Sequence, residues 1–341
     1  MTASLKDVAA HAGVSVRTVS NVVNDFAQVA PATRVRVQRS LDELGYRPNL
    51  AARTLRRGRT GLIALVVPDV ASPYFGEIAS LLTVAAQEQG WTLLIDQTRG
   101  NVDLERQFLE GVRAQSVDGL VLSPWSLPVT ELLRRTSAVP LVLLGERARE
   151  VSIDHVAIDN VRAARQATEH LLGLGRRRVA AVGARSELGG DTAGVRLLGY
   201  REALAAAGLA HDPALEVGVT ALNRADGARA MQTLLDSNAA PDALFCANDQ
   251  LALGAIRVAL AAGLRVPQDL AVVGVDDIED GRYATPSLTT VSPDKALLAQ
   301  HVIECLRARL DRSSSSRPSR DVVVPHRLVV RESTRGSLAT L

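Results

Sequence analysis

The sequence predicts two parts of different class: an all-α N-terminal head containing a helix-turn-helix, and an α/β body of two lobes with parallel sheets. Two observations predict this. The first is charge. Residues 1–60 hold ten Lys and Arg against four Asp and Glu, a balance of +6 in a chain whose total is +2, so the remainder carries −4. The second is a change of pattern at residue 61, where short apolar runs begin to alternate with amphipathic helical stretches, as strand–helix–strand crossovers require. With 341 residues, 47% of them hydrophobic, the chain can bury a large core divided among two or three domains. A basic head on a mildly acidic body points to a polyanion as the head's partner.

In the head, Ser4 and Asp7 form an S-x-x-D entrance signal: the hydroxyl satisfies an orphan backbone amide and the carboxylate complements the helix dipole. Leu5, Val8, Ala9 and Ala12 recur on one helical face, and Gly13 ends the helix. Ser15 caps a second helix on which Val19, Val22, Val23 and Phe26, at i, i+3, i+4 and i+7, form the expected buried stripe. Arg17, Ser20, Asn21 and Asn24 occupy its other face. The spacing of Ala9, Gly13 and Val19 suits a helix-turn-helix. A third helix is expected from Thr33 to Leu44, with Val37, Leu41 and Leu44 inward, Arg34, Arg36 and Arg39 outward, and Gly45 as its stop. Arginines and helix N-termini suit phosphates, and the outer face of the second helix suits base edges in the major groove. In "YRPNLAARTLRRGRTG" (46–61), Asn49 can cap a two-turn helix on which Leu55 stands beside Arg53, Arg56 and Arg57. An apolar residue among arginines on so short a helix suits a minor-groove wedge, and the helix needs DNA or its twin to be stable.

In the body, strands are expected near 62–67, 91–95, 119–122, 141–144 and 155–158, then near 178–182, 242–246 and 270–275. Helices are expected over 75–89, 103–115, 160–174, 194–207, 225–237, 249–262 and 295–310. Right-handed crossovers of this kind give two parallel sheets and a cleft lined by loops at the strands' carboxyl ends. The serine-rich piece "RSSSSRPSR" (312–320) is read as a surface loop, and the elements around it are expected to return to both lobes. The layout is then 1–46 for the head, 47–60 for a hinge helix, 61–160 with 291–320 for the first lobe, 161–290 with 321–332 for the second, and 333–341 as a tail.

The stretches "TASLKDVAAHAGVSVRTVSNVVN", "RPNLAARTLRRGRTGLIALVVPDVASPYFGEI", "RLLGYREALAAAG", "FCANDQLALGAIRVALAAGLRVPQDLAVVGVDDIED" and "PSLTTVSPD" resemble the lactose-repressor family of bacterial transcription regulators, from about Ser4 to Glu332. The resemblance implies a homodimer whose paired heads bind palindromic double-stranded operator DNA. It also implies a periplasmic-binding-protein-like core sensing a small-molecule effector, in the first instance a sugar, with no cofactor. Base-choosing positions of the family match Val16, Arg17 and Asn21, and its intercalating leucine matches Leu55. Ser15, Thr18, Ser20, Asn24, Arg34, Asn49, Ala52 and Arg56 complete the expected DNA-facing set. In the cleft, Tyr74 and Phe75 match a ligand-facing loop, Arg196 an arginine that grips the effector, and Asn248 and Asp276 polar ligand contacts; Trp125 is a candidate stacking ring. Two departures stand out: near Leu222 the sugar-packing aromatic is absent, and Gly145-Glu146 replaces an aspartate of the sugar site. The tail has no leucine heptads, so a dimer is expected.

Other classes are disfavoured. "MTASLKDVAAHAGVS" is broken by Lys6, Asp7 and His11 and does not read as a signal peptide, which argues against a solute-binding protein of a transporter and for a cytoplasmic, nucleoid-associated protein. "LIALVV" (62–67) is too short to span a membrane. Cys246 and Cys305 have neither metal nor redox spacing, and the six histidines are scattered. Asp276, Asp277, Glu279 and Asp280 read as an acidic loop with one ligand contact rather than a metal cluster. Without a P-loop, G-x-S-x-G or HExxH motif, enzyme activity is not expected, including that of a sugar-processing enzyme with a DNA-binding head. Corepression by a purine or another metabolite stays open as the alternative to release by a sugar.

Overall fold

The computed structural model describes residues 3–23, 26, 28–46, 59–111, 116–145, 152–184, 192–237, 239–311 and 318–335. It divides into two compact units, residues 1–60 and 61–341.

The head holds α1 (Leu5–Ala12), α2 (Val16–Val23) and α3 (Pro31–Glu43). Ser4 and Asp7 close a capping box: the Ser4 hydroxyl accepts the Asp7 amide at 3.3 Å, and the Asp7 carboxylate accepts the Ser4 amide at 2.8 Å. Gly13 ends α1 in the left-handed conformation (φ 62°), which spares any Cβ clash. The Ser15 hydroxyl accepts the Thr18 amide at 3.1 Å and so starts α2. Val8, Val19, Val22, Val37 and Leu41 meet in a small core, each buried side chain contributing about 1.5–3 kcal/mol. His11 ties α1 to α3 through the Ser40 hydroxyl at 3.1 Å. Phe26 departs from expectation. Phe26 lies outside α2, its amide closes back onto the Asn21 carbonyl, and it is 54% exposed rather than in the stripe.

In the body, the first sheet has the order β11-β5-β4-β3-β1-β2, from β1 (Leu62–Val67), β2 (Thr92–Gln97), β3 (Gly119–Leu122), β4 (Leu141–Leu144), β5 (Asp154–Ile158) and β11 (Asp321–Val324), all parallel. The second has the order β12-β10-β9-β8-β6-β7, from β6 (Val179–Ala184), β7 (Glu216–Gly218), β8 (Ala243–Cys246), β9 (Ala271–Val275), β10 (Thr289–Pro293) and β12 (His326–Val329), with β12 alone antiparallel to its neighbour. Both sheets reverse strand order beside their first strand, where open α/β sheets bind ligands. The helices are α4 (Pro73–Glu88), α5 (Val102–Leu109), α6 (Val129–Leu133), α7 (Asn160–Gly173), α8 (Thr192–Ala206), α9 (Arg224–Asp236), α10 (Asp249–Ala261), α11 (Glu279–Tyr283), α12 (Lys295–Leu310) and α13 (Glu332–Arg335).

The chain crosses between sheets three times: after β5, after β10 and between β11 and β12. The last two crossings correct the expected boundaries. Residues 321–332 do not all join the second lobe, because β11 pairs with β5 in the first sheet, Asp321 opposite His155, and only β12 pairs with β10. Pro325, which lacks an amide proton, separates the two strands. The second sheet keeps β10 through Pro293, so α12, packed on α4 and the first sheet, begins the return to the first lobe. Residues 333–335 are not tail: the buried Ser333 hydroxyl donates to the Val272 carbonyl at 2.6 Å and accepts the Thr289 amide at 2.8 Å.

Candidate functional site

A cleft of about 510 Å³ is lined by residues at or after the carboxyl ends of β1 to β5 of the first sheet and β6 to β10 of the second, together with Leu298 on α12. Most of the lining thus lies at carboxyl strand ends. Tyr74, Phe75, Trp125, Arg196, Asn248 and Asp276, scattered through the sequence, all line it.

Tyr74 and Phe75 sit on the first turn of α4, where Pro73 fits the helix start, and their rings pack edge to face with centroids 5.2 Å apart. Trp125 is placed by a residue with no counterpart in the sequence reading. Glu105, on α5 and fully buried, accepts the amides of Trp125, Ser126 and Leu127 at 2.8, 3.0 and 2.7 Å. One carboxylate therefore fixes the whole loop after β3.

From the second sheet comes a charged pair. Arg196, on α8 and 7% exposed, donates Nε to the Asn160 side chain at 2.7 Å and Nη1 to the Ala247 carbonyl, and its Nη2 lies 3.6 Å from Asp276 Oδ1. Two of its five N–H groups are thus held by the fold, which aims the plane of the guanidinium. Asp276 takes φ 117° and Asp277 φ 51°, two successive left-handed residues at the end of β9. Burial pushes the Asp276 carboxyl up to about 6, against the pull of Arg196 and then Lys295. Burial and the neighbouring Asp276 charge likewise raise the Tyr74 phenol.

Two further residues hold this turn. Asp249, fully buried at the start of α10, accepts the Ile278 amide at 2.9 Å and pairs with the Thr290 hydroxyl at 2.6 Å. Gly274 makes room for it, since a Cβ there would stand 2.2 Å from Asp249 Oδ1. Burial, followed by the charge of Asp276, raises the Asp249 carboxyl well above its usual range. Asn248 is partly spent on structure: its Oδ1 caps α10 at the Leu251 amide (2.9 Å), and its Nδ2 donates to the Leu222 carbonyl (2.9 Å). Leu222 itself lines the cleft, as does Gly145; Glu146 lies outside the described residues.

The acidic loop disperses into separate pairs. Burial pushes Asp277 up, but Arg331 at 2.6 Å and Ser292 at 2.9 Å outweigh it and hold the carboxyl below its ordinary value. Asp280 pairs with Arg224 at 2.9 Å. Among the described residues no group of three or more His, Cys, Asp or Glu is arranged to hold a metal ion, and no helix is long and apolar enough to cross a membrane.

On the head, Val16 is 41% exposed and Arg17 is exposed beside it on the first turn of α2. Ser15 and Thr18 share a hydroxyl hydrogen bond at 2.8 Å, and Ser20 and Asn21 are half-buried. Arg34 donates to the Phe26 carbonyl at 2.8 Å. Asn24, Asn49, Ala52, Leu55 and Arg56, with the expected hinge helix, lie outside the described residues.

Residues 4–49 match the family described as bacterial regulatory proteins, lacI family, and residues 168–334 match a periplasmic binding protein-like domain. The HTH-type transcriptional regulator CelR of Thermobifida fusca is 40% identical over 342 residues, covering 97% of this chain and 98% of its own. The chain belongs to the LacI family. LacI-family structures similar to it include a CelR–cellobiose complex, with a TM-score of 0.71 and 36% identity over 97% of this chain and 99% of that one. Another is the lac repressor dimer bound to operator and the anti-inducer ONPF, with a TM-score of 0.85 and 28% identity over 98% of this chain and 99% of that one. This LacI-family protein is a DNA-binding regulator of transcription and not an enzyme.

Proposed function

We propose that this protein is a homodimeric repressor of carbohydrate-utilisation genes, released from a palindromic operator when a neutral saccharide fills the cleft. The observation that carries the saccharide is the pairing of Arg196 with Asp276, opposite charges 3.6 Å apart, in a cleft that Tyr74, Phe75 and Trp125 also line. Sugar hydroxyls both donate and accept, and sugar rings present an apolar face, so fork, acceptor and aromatic walls match such a ligand in one cleft. Cellobiose, bound by the relative CelR, is the first candidate class.

In the head, Val16, Arg17 and Asn21 read base edges, Arg17 pairing bidentately with a guanine and Val16 touching a thymine methyl. Ser15, Thr18, Ser20 and Arg34 hold the sugar-phosphate backbone, and the 47–60 segment carries the Leu55 wedge. The open edge of the first sheet supports the dimer: Leu94 and Ile95, on opposite faces of the edge strand β2, are 44% and 49% exposed, and Val84 on α4 is 57% exposed. A second copy laid on it hides an edge that is otherwise open to adventitious pairing. A regulator of this kind works in the cytoplasm, on the nucleoid. Coupling between saccharide and operator is worth about 1–3 kcal/mol and acts equally in both directions.

Fluorescence anisotropy on DNA from upstream of the protein's own gene, at two salt concentrations and against a panel of saccharides and nucleobases, tests this. Sequence-dependent binding released by one saccharide is the expected result. Release by a nucleobase, or binding that appears only when a ligand is added, overturns it.

A further inference from the structure

We propose that Glu77 and Lys295 are positioning residues of the cleft: the pair clasps the turn that presents Asp276 to helix α4 and sets the electrostatic field in which that carboxyl works. This rests on Asp276 being an effector contact. Lys295, the first residue of α12, is 8% exposed, and its ammonium has three partners of different kinds. It pairs with Glu77 Oε2, donates to the Asp277 carbonyl at 3.0 Å, and lies 5.8 Å from the centroid of the Tyr74 ring. The other Glu77 oxygen accepts the Glu279 amide at 3.3 Å. Glu77 and Lys295 belong to helices packed on the first sheet, and Asp277 and Glu279 follow the second sheet's β9. The cluster is therefore a polar bridge between lobes, one helical turn along α4 from Tyr74. The successive left-handed residues at 276 and 277 swing a carbonyl and an amide toward it.

A buried ammonium has a reason to be in such a place only if its charge is used or matched. Glu77 matches it, yet both charges also act on Asp276 with opposite signs, Lys295 favouring its ionised form and Glu77 opposing it. The other charged or titratable groups around Asp276 are Arg196 on α8, Tyr74 on α4, Asp249 on α10 and the adjoining Asp277. Among these, only the pair joins the lobes across the turn. A rearrangement that separates Glu77 from the 277–279 backbone alters what Asp276 offers a ligand, and a ligand on Asp276 in turn loads α4.

The test follows the Asp276 carboxyl by ¹³C NMR in the ligand-free full chain, with its resonance identified by its loss in Asp276→Asn, while calorimetry with cellobiose is run in parallel. Lys295→Met is expected to move the titration midpoint up, Glu77→Gln to move it down, each by about half a pH unit or more. The double variant is expected to fall between them. Merely loosening the fold would move both single variants the same way. Midpoints that do not move, or move together, overturn the proposal. Absence of saccharide binding by the unaltered protein counts against the effector reading and leaves the NMR result to decide the role of the pair. Opposed midpoints with no change in the cellobiose Kd in either variant remove the pair from ligand positioning.

Discussion

Replacing Glu105 by alanine is expected to damage both the stability of the body and its grip on the effector, by amounts that follow chiefly from its three hydrogen bonds to backbone amides. The carboxylate accepts the amides of Trp125, Ser126 and Leu127, the last in a fully buried bond and the first two in partly buried ones. Orphaning the Leu127 amide costs about 1–3 kcal/mol, and the two others, which water can partly reach, about 0.5–1.5 kcal/mol each, roughly 2–6 kcal/mol together. For a body of this size each kcal/mol lowers Tm by about 2 °C, so a fall of about 4–12 °C is expected by scanning calorimetry. The same loop carries Trp125 into the cleft. Losing a positioned aromatic face, worth about 0.5–1.5 kcal/mol, raises the saccharide Kd about 2- to 12-fold by titration calorimetry. Glu105→Gln fills the same space with a single acceptor oxygen and is expected to fall between. A Glu105→Ala protein with Tm within about 2 °C of the parent and an unchanged Kd would refute the idea that this carboxylate builds the loop.

Four further outcomes are expected. Saccharide affinity weakens as pH falls through about 6, because protonation removes the Asp276 acceptor, and Asp276→Asn flattens that limb in a pH series of binding isotherms. The fold responds with the opposite sign: a carboxyl raised from 3.8 to about 6 contributes stability that is fully present below the lower value and lost as pH rises through the upper one, which urea melts across that window check. Asp249→Ala releases the Ile278 amide and the Thr290 hydroxyl, so the saccharide Kd rises at least about tenfold, whereas Asp249→Asn keeps most affinity because its side-chain oxygen can still accept and burial already favours the uncharged form of this carboxyl. Arg17→Ala relaxes base preference at one position per half-site at about 1–3 kcal/mol, measured by competition with single-base operator variants; an equal loss on all sequences would make Arg17 a phosphate contact.

Much of the architecture was legible because local signals agreed with the global pattern. The Ser4 capping box, the Gly13 stop and the valine stripe through Val22 were plain in the head, and the apolar runs at 62–67 and 119–122 marked central strands. Phe26 was misread because periodicity alone carries no end point, and nothing in "NDFAQ" announces that Phe26 lies outside α2. Elements around the serine-rich loop were expected to return to both lobes, but the division of "DVVVPHRLVV" between the two sheets was not legible, since partner choice depends on distant strands such as β5 and β10. In the cleft, the aromatics, Arg196 and Asp276 were marked by resemblance to a family. Glu105, Asn160, Lys295 and Asp249 were not, because each sits in an ordinary helical sequence and acquires its role only from what the tertiary fold sets beside it.

The three crossings bear on how the protein is made. Neither lobe is a continuous stretch of chain: the first sheet is completed by β11, and α12, which covers it, follows most of the second lobe. On the ribosome, strands β1 to β5 emerge with one flank of their sheet uncovered and wait while more than a hundred further residues are synthesised. The head, by contrast, is finished within its own contiguous 60 residues. A nascent chain of this protein therefore offers a complete helix-turn-helix to DNA well before it has a cleft that can answer to a ligand, and shortening it before Pro325 leaves the second sheet without its outer strand as well.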